Sequence, residues 1–371
     1  MIRKMTLGLS LTLAMLTAAT ALAENVSLKI ETGLAMKRAL TFLASQQNEA
    51  GYWSTADHPG LSALAIKAFA TSPVSSAVGR ENPAVEKGAL YLLSRVQKDG
   101  GIYTEGEGLA NYNTAISMMA LHAIGDYEDT VLRAREFVIR GQQLGYEPGT
   151  EAYDYYGGVG YGNSHTHSDM VNTTFAIQSL AETRELVEGV KDDARLDWEA
   201  AITFLSRCQN LDEPEDSSNR GGFVYAPNDS KAGSIELENG ETALRSYGSV
   251  SYAGLLSYTY ADVSADDPRV EGVLDWLQIH YTLDENPGMD QQGLFFYYMT
   301  MAIGLDAAHI KMLDVANRGE INWREELVVH LLEIQEKDGS WQNKNGRWME
   351  QDPNLVTAYV LLSLNKIYPD L

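Results

Sequence analysis

Apolar residues recur along this chain at three- and four-residue intervals, in short runs divided by polar loops rich in glycine. Ala39-Leu40 with Phe42-Leu43, Ala89 to Leu93, and Leu327 with Leu331-Leu332 each mark one apolar helix face. A second run follows each: Leu61 to Phe69, Thr114 to Ile124 and Leu355 to Leu364, rich in Ala and Leu with few charges. A helix apolar on every side belongs in an interior. The pattern therefore predicts hairpins of one half-exposed outer helix and one buried inner helix.

Between the two helices of a hairpin lies a joint. Gln47 is followed by Gly51 and Trp53, Gln97 by Gly101 and Tyr103, and Gln335 by Gly339 and Trp341, all at one spacing. The glycine is expected to end the outer helix, since it adopts positive φ at little cost. The aromatic is expected to fold over the gap between neighbouring hairpins. Three looser copies follow the same order. Phe137-Val138, Gln142 and Gly157 to Tyr161 lead into Thr173 to Leu180, and Phe204-Leu205, Gln209 and Gly221-Gly222-Phe223 lead into Ser251 to Tyr260. Trp276-Leu277 and Gly293-Leu294-Phe295 lead into Tyr298 to Leu305, without the glutamine.

Six hairpins result. From Trp53 the aromatic stations fall 50, 58, 62, 72 and 46 residues apart, a self-similarity that signals a repeat architecture. A linear solenoid would expose its inner helices along one face and needs polar capping repeats, which neither end provides. The expectation is an all-α fold, a closed α6/α6 toroid forming one domain over residues 24–371.

The first 23 residues stand apart. Arg3 and Lys4, an apolar run from Met5 to about Ala19, and Ala21-Leu22-Ala23 before Glu24 read as a secretory signal peptide with a small-residue cleavage site. The run is shorter than the roughly 20 residues a bilayer span needs. No transmembrane anchor is expected after cleavage, and the mature protein is expected to be periplasmic or extracellular. It keeps 26 basic and 51 acidic residues, a net charge of −25, which disfavours nucleic acid and anionic headgroups as partners. The single cysteine, Cys208, leaves no intramolecular disulfide to form, so the core must supply the stability.

The Gln-x-x-x-Gly-x-Trp element at Gln47 and Gln335, with Tyr at Gln97, resembles the repeat motif of squalene-hopene and oxidosqualene cyclases. The ring is similar to that of protein prenyltransferase β subunits. Thr282 to Met289, running on to Tyr297-Tyr298, resembles secreted bacterial prenyltransferase/squalene oxidase repeat proteins. The resemblance covers the mature chain and implies a toroid of the terpene cyclase and prenyltransferase superfamily. It also implies functions to look for. Hopene-type cyclases carry Asp-x-Asp-Asp-Thr-Ala at the start of an inner helix, and the matching window is Asp169-Met170-Val171-Asn172-Thr173-Thr174. Val171 stands in the place of the protonating Asp, and valine donates no proton. Prenyltransferases use zinc held by Asp, Cys and His; Cys208 lies outside any such context, so no metal and no cofactor is expected.

In a toroid, residues at the start of each inner helix face the central cavity, where unpaired N–H groups and the helix dipole favour an acceptor. This selects Asp57 and His58, Tyr112 and Asn113, His165 to Asn172, Tyr247 to Tyr252, Tyr297 and Tyr298, and Asp352 to Asn354. Within these, His167 and Asp169 are the candidate acid–base pair, and Tyr112, Asn113, His165, Asn172, Tyr247, Tyr252, Tyr297, Tyr298 and Asn354 the candidate ligand-binding residues. An alternative reading makes Ser168 or Asp169 a helix N-cap and the histidines the lining of a polar loop. Tyr146, Tyr153, Tyr155, Tyr156 and Tyr161 either line the cavity, offering π faces to a cation, or cover the mouth of the ring.

Three functions fit. The first is binding of an apolar, isoprenoid-like small molecule in the central cavity, with or without turnover. The second is a non-catalytic binding or scaffold role, motivated by the acidic run Asp212-Glu213-Pro214-Glu215-Asp216. The third is glycan chemistry, which needs two facing carboxylates such as Asp169 with Asp57 or Asp352. Oligomeric state leaves no mark in the sequence.

Overall fold

The computed structural model describes residues 26–75, 79–162, 167–189, 195–212, 218–236, 240 and 242–371. Its helices alternate between an outer and an inner ring. The outer helices are α1 (26–46), α3 (Pro83–Leu93), α5 (Glu128–Arg140), α7 (Trp198–Arg207), α9 (Pro268–His280) and α11 (Trp323–Glu333). The inner helices are α2 (Pro59–Ala70), α4 (Ala110–Ile124), α6 (Met170–Glu182), α8 (Gly248–Tyr260), α10 (Leu294–Ala307) and α12 (Pro353–Ile367).

Burial separates the two rings as the apolar pattern requires. Helix α5 buries Val131, Ala134, Arg135 and Val138, the single face of a half-exposed helix. Helix α10, by contrast, buries Leu294, Phe295 and an unbroken run from Tyr297 to Leu305. The inner helices pack in chain order, α2 on α4, α4 on α6, α6 on α8, α8 on α10 and α10 on α12, and α12 returns to α2. The ring is closed, and the α6/α6 toroid holds. Two short antiparallel hairpins decorate it: β1 (Ser234–Glu236) with β2 (Thr242–Leu244), and β3 (Leu313–Val315) with β4 (Gly319–Ile321).

The joint glutamines prove to be clamps between hairpins. Gln47 Nε2 donates to Gly51 O in its own loop and to Ala84 O at the start of α3, both at 2.9 Å. Gln142 Nε2 repeats this with Gly157 O (2.9 Å) and Asp197 O (2.8 Å), Gln209 Nε2 with Gly221 O (2.9 Å) and Arg269 O (2.8 Å). Gln335 Nε2 donates to Gly339 O (2.9 Å) and Ala35 O (3.0 Å), tying the last outer helix to the first across 300 residues of chain. Gln97 differs, holding only its own loop through Arg95 O and Tyr103 O.

Three readings of the joints need correction. The glycines do not end the outer helices, which stop several residues earlier; Gly51 and Gly339, both at φ +94°, lie in the loop beyond. They are required by close approach as well as by φ. A Cβ at Gly51 would lie 2.3 Å from Lys87 O of the next outer helix. In the second hairpin the positive φ belongs to Gly100 (φ +91°), so the register shifts by one. Ile102 is therefore the buried station, its N–H donating to Thr114 Oγ1 at 2.9 Å as Trp53 N does to Ser62 Oγ at 3.0 Å. Tyr103 turns outward to Asp99 Oδ2. Finally, Gly293 is the left-handed N-cap of α10 (φ +66°) rather than a loop station. At the joint without a glutamine, the β3–β4 hairpin packs on α9, with Ala316 N donating to Gln278 O at 3.1 Å.

Candidate functional site

At the N-terminal pole of the inner ring lies a cavity of about 530 Å³. First-turn residues supply much of its wall: Leu61 of α2, Tyr112 of α4, Val171 of α6, Ser249 and Val250 of α8, Phe296 of α10 and Leu355 of α12. The proline and Asx signals of the sequence fix these entries. Pro59 and Pro353 open α2 and α12 in the first turn, where a missing N–H costs nothing, and Asp352 Oδ1 accepts Asn354 N at 2.9 Å. Asp169 caps α6 in the same way, its Oδ1 accepting Asn172 N at 2.9 Å and its Oδ2 accepting Asn172 Nδ2 at 2.7 Å.

An aromatic layer floors the cavity. Tyr112 meets Phe175 edge-on at 5.4 Å, Phe175 meets Phe296 at 6.3 Å, and Phe296 meets Tyr359 at 5.9 Å. Phe175 also faces a second cavity of about 250 Å³ among the C-terminal halves of the inner helices. There a Lys67–Glu182 ion pair (2.6 Å), with Gln178 Nε2 on Glu182 Oε1 at 2.8 Å, closes the bore. The central space is thus two chambers divided by aromatic side chains.

The loop from Asn343 to Glu350 forms one lip of the larger chamber. Trp348 (φ +54°) and Met349 (φ +65°) are consecutive non-glycine residues in the left-handed region, and both are exposed, at 45% and 42%. Such backbone persists only where its surroundings over-determine it. Here Arg347 lies 4.3 Å from the Trp348 ring, and Glu350 anchors the loop. Its Oε1 accepts Phe296 N at 2.8 Å and its Oε2 accepts Asn343 Nδ2 at 2.7 Å. Leu109, another lining residue, is also left-handed (φ +54°).

The electrostatics of the wall are set by burial. Asp169 is pushed up to about 6 by desolvation, against the opposing pull of the Asn172 donors and the Tyr225 hydroxyl. Tyr225 and Tyr247 are raised by burial and then by the Asp169 charge, and Tyr225 OH lies 3.4 Å from Tyr161 OH. Burial likewise raises Glu350, which is 1% exposed, and holds Tyr112 near 12. Lys231 pairs with Asp229 and sits 4.1 Å from the centre of the Tyr225 ring.

Of the residues singled out from the sequence, Tyr112, Tyr247, His58 and Tyr161 line this cavity. Val171 lines it too, so the position of the expected proton donor faces the chamber with a side chain that has none to give. Asp169 lies behind the wall, buried and in contact with Tyr225. His167 is exposed and stacks face to face on Tyr155 at 4.4 Å, and His165 lies outside the described residues. Asn113 is buried, accepting Gly60 N at 3.0 Å; Asn172 is engaged with Asp169. Tyr252 packs on Tyr297 at 5.6 Å, while Tyr297 and Tyr298 donate to Thr282 O and Leu283 O, away from the chamber. Asn354 Nδ2 reaches Ser54 Oγ at 3.2 Å. Asp57 is exposed beside Thr55, and all of the acidic run but Asp212 lies outside the described residues. Cys208 is buried and its thiol pushed well up, mainly by desolvation. Among the described residues no three His, Cys, Asp or Glu side chains converge as a metal site, and no helix is long and apolar enough to cross a membrane.

Sequence reasoning missed Glu350, Trp348, Met349, Leu109, Tyr225 and Lys231. All lie on loops or at a helix cap, where no periodicity marks them.

No protein-family model matches the chain, and no curated protein matches it. Solved structures do match its fold. An apo variant of the type II terpene cyclase MstE from Scytonema is similar at a TM-score of 0.58 and 14% identity, over 93% of this chain and 99% of that one. Another MstE variant, in complex with its substrate geranylgeranyl dihydroxybenzoate, gives 0.56 and 14% over 93% and 100%. A protein from Actinoplanes gives 0.51 and 14% over 91% and 99%. The chain therefore has the helical toroid fold of the terpene cyclases.

Proposed function

We propose that this is an exported toroid whose N-pole cavity binds an apolar, isoprenoid-like ligand. The observation that carries the reading is the cavity itself: about 530 Å³, at the N-termini of the inner helices, walled mainly by Leu, Val, Met and aromatic side chains. Chambers of this size and lining are built for small molecules with few polar groups. The fold it shares with MstE, which binds a geranylgeranyl compound, supports the same reading. Export rests on the signal sequence at the N-terminus.

Catalysis initiated by protonation finds no donor at Val171. Asp169, buried behind Tyr225 and Tyr161, is the one group of the proposed acid–base pair in contact with the wall, and it acts on the chamber through those phenols. The test is extraction of apolar small molecules from the purified full-length chain, followed by mass spectrometry, with geranylgeraniol titrated in parallel. Recovery of a prenyl lipid, or saturable binding weakened by Val171→Trp, which adds bulk to the chamber wall, is the expected result. An empty extract combined with no binding of the probe sinks the proposal.

A further inference from the structure

We propose that the ligand of the N-pole cavity carries a positively charged headgroup, held by tyrosine faces under the fixed negative charge of Glu350 and Asp169. This rests on the cavity being an apolar-ligand site and adds the chemistry of the head.

The wall holds more buried negative charge than its own residues neutralise. Glu350 is 1% exposed and Asp169 3% exposed, and among the described residues neither forms an ion pair. Their carboxylates are instead fixed by N–H donors: Phe295 N, Phe296 N and Asn343 for Glu350, and Asn172 for Asp169. The N-terminal ends of α6 and α10 offset part of this charge, but no cation among the described residues pairs with either carboxylate, and in a low-dielectric wall what remains acts across the chamber. The one ammonium on the wall, Lys231, already has Asp229 as its counter-ion.

The tyrosines turn this charge toward the ligand. Tyr225 OH reaches Tyr161 OH, and the buried Asp169 charge acts on both, so the phenols of the wall are polarised by a carboxylate while both side chains line the chamber. Electron-rich ring faces attract cations, most strongly where water is excluded. Lys231, 4.1 Å from the Tyr225 centroid, shows within the molecule that this wall accepts an ammonium on a ring face. A phosphate or carboxylate head would face these two carboxylates: among the described residues the cations near the chamber are Lys231, paired with Asp229, and Arg347, held on the Trp348 ring at the lip, and the N-termini of α6, α10 and α12 already have Asp169, Glu350 and Asp352 as acceptors. The net charge of −23 over the whole chain adds a field of the same sign.

The experiment compares two probes of equal chain length, decyltrimethylammonium and decanol. Each is titrated below its aggregation limit against the full chain and followed by calorimetry and tryptophan fluorescence. The ammonium is expected to bind at least about tenfold tighter at low salt, the scale of a desolvated cation–π contact with a nearby charge, and to lose part of that lead as salt is raised. Glu350→Gln and Asp169→Asn should each shrink the ratio; asparagine is as good an N-cap as aspartate, so the second variant keeps the α6 entry even if the first disturbs its loop. Decanol binding as tightly as the ammonium, or a ratio that survives both substitutions, overturns the headgroup assignment and leaves the apolar cavity standing. Binding of neither probe overturns both.

Discussion

A methyl group added at Gly157 would lie 1.9 Å from Ala200 O, and one at Gly221 would lie 2.0 Å from Gly272 O. Each of these carbonyls belongs to the next outer helix and cannot move without carrying that helix along. Gly149, equally left-handed at φ +86°, has open space where its Cβ would be. Gly149→Ala should therefore cost only the backbone term, about 1–2 kcal/mol. Gly157→Ala should cost more than about 4 kcal/mol, the range reserved for steric breakage of a core. Denaturant unfolding of the two variants checks the contrast.

Asp169 makes a second prediction at this scale. Its folded pKa, about 6, lies above the ordinary carboxylate value of 3.8, so between these limits the folded chain holds the proton more tightly than the unfolded one. Stability from this group is therefore greatest below about pH 4 and declines as pH rises through 6. Two pH units correspond to roughly 2–3 kcal/mol. Asp169→Asn should be stabilising at pH 8 by a sizeable part of that amount and nearly neutral at pH 4. Equal effects at the two pH values in urea titrations would count against it.

Among elements, the helices were legible and the lips of the cavity were not. The joint glutamines recur because each meets the same demand, two backbone carbonyls from neighbouring hairpins, so side chain and spacing repeat together. Where that demand changes, the reading slips. Gly100 and Gly101 are adjacent, and nothing in the sequence says which takes the positive φ; the structure uses Gly100, and the station falls on Ile102 instead of Tyr103. Inner-helix starts were a sound guide to Tyr112, Val171 and Tyr247, since a helix N-terminus has one direction to face in a closed ring. They misplaced Tyr297 and Tyr298, which sit where α10 turns its other side to the 282–283 loop. Trp348, Met349 and Glu350 lie on an irregular turn at 347–350, with Glu350 as its cap, whose shape depends on a tertiary anchor at the N-terminus of α10. No local pattern encodes such an anchor.

On the scale of the whole molecule, the bond from Gln335 to Ala35 changes how the protein comes apart. Linear arrays of repeats have end units with one neighbour each, and unfolding can start there and spread inward. A ring has no such units. Every hairpin is held on two sides, so removing one opens the structure for all, and loss of the fold should be a single cooperative event despite the repetitive sequence. Heating or urea should give one transition, seen alike by tryptophan fluorescence and by helix content. Gln335→Ala removes two hydrogen bonds at the closing joint and should lower the stability by about 1–3 kcal/mol, more than Gln97→Ala, which spans no joint; in both the transition should stay single, because α12 still packs on α2. Closure thus gives a repeat protein the all-or-none character of a single small domain, with the α12–α2 seam as its clasp and Gln335 as one stitch in it.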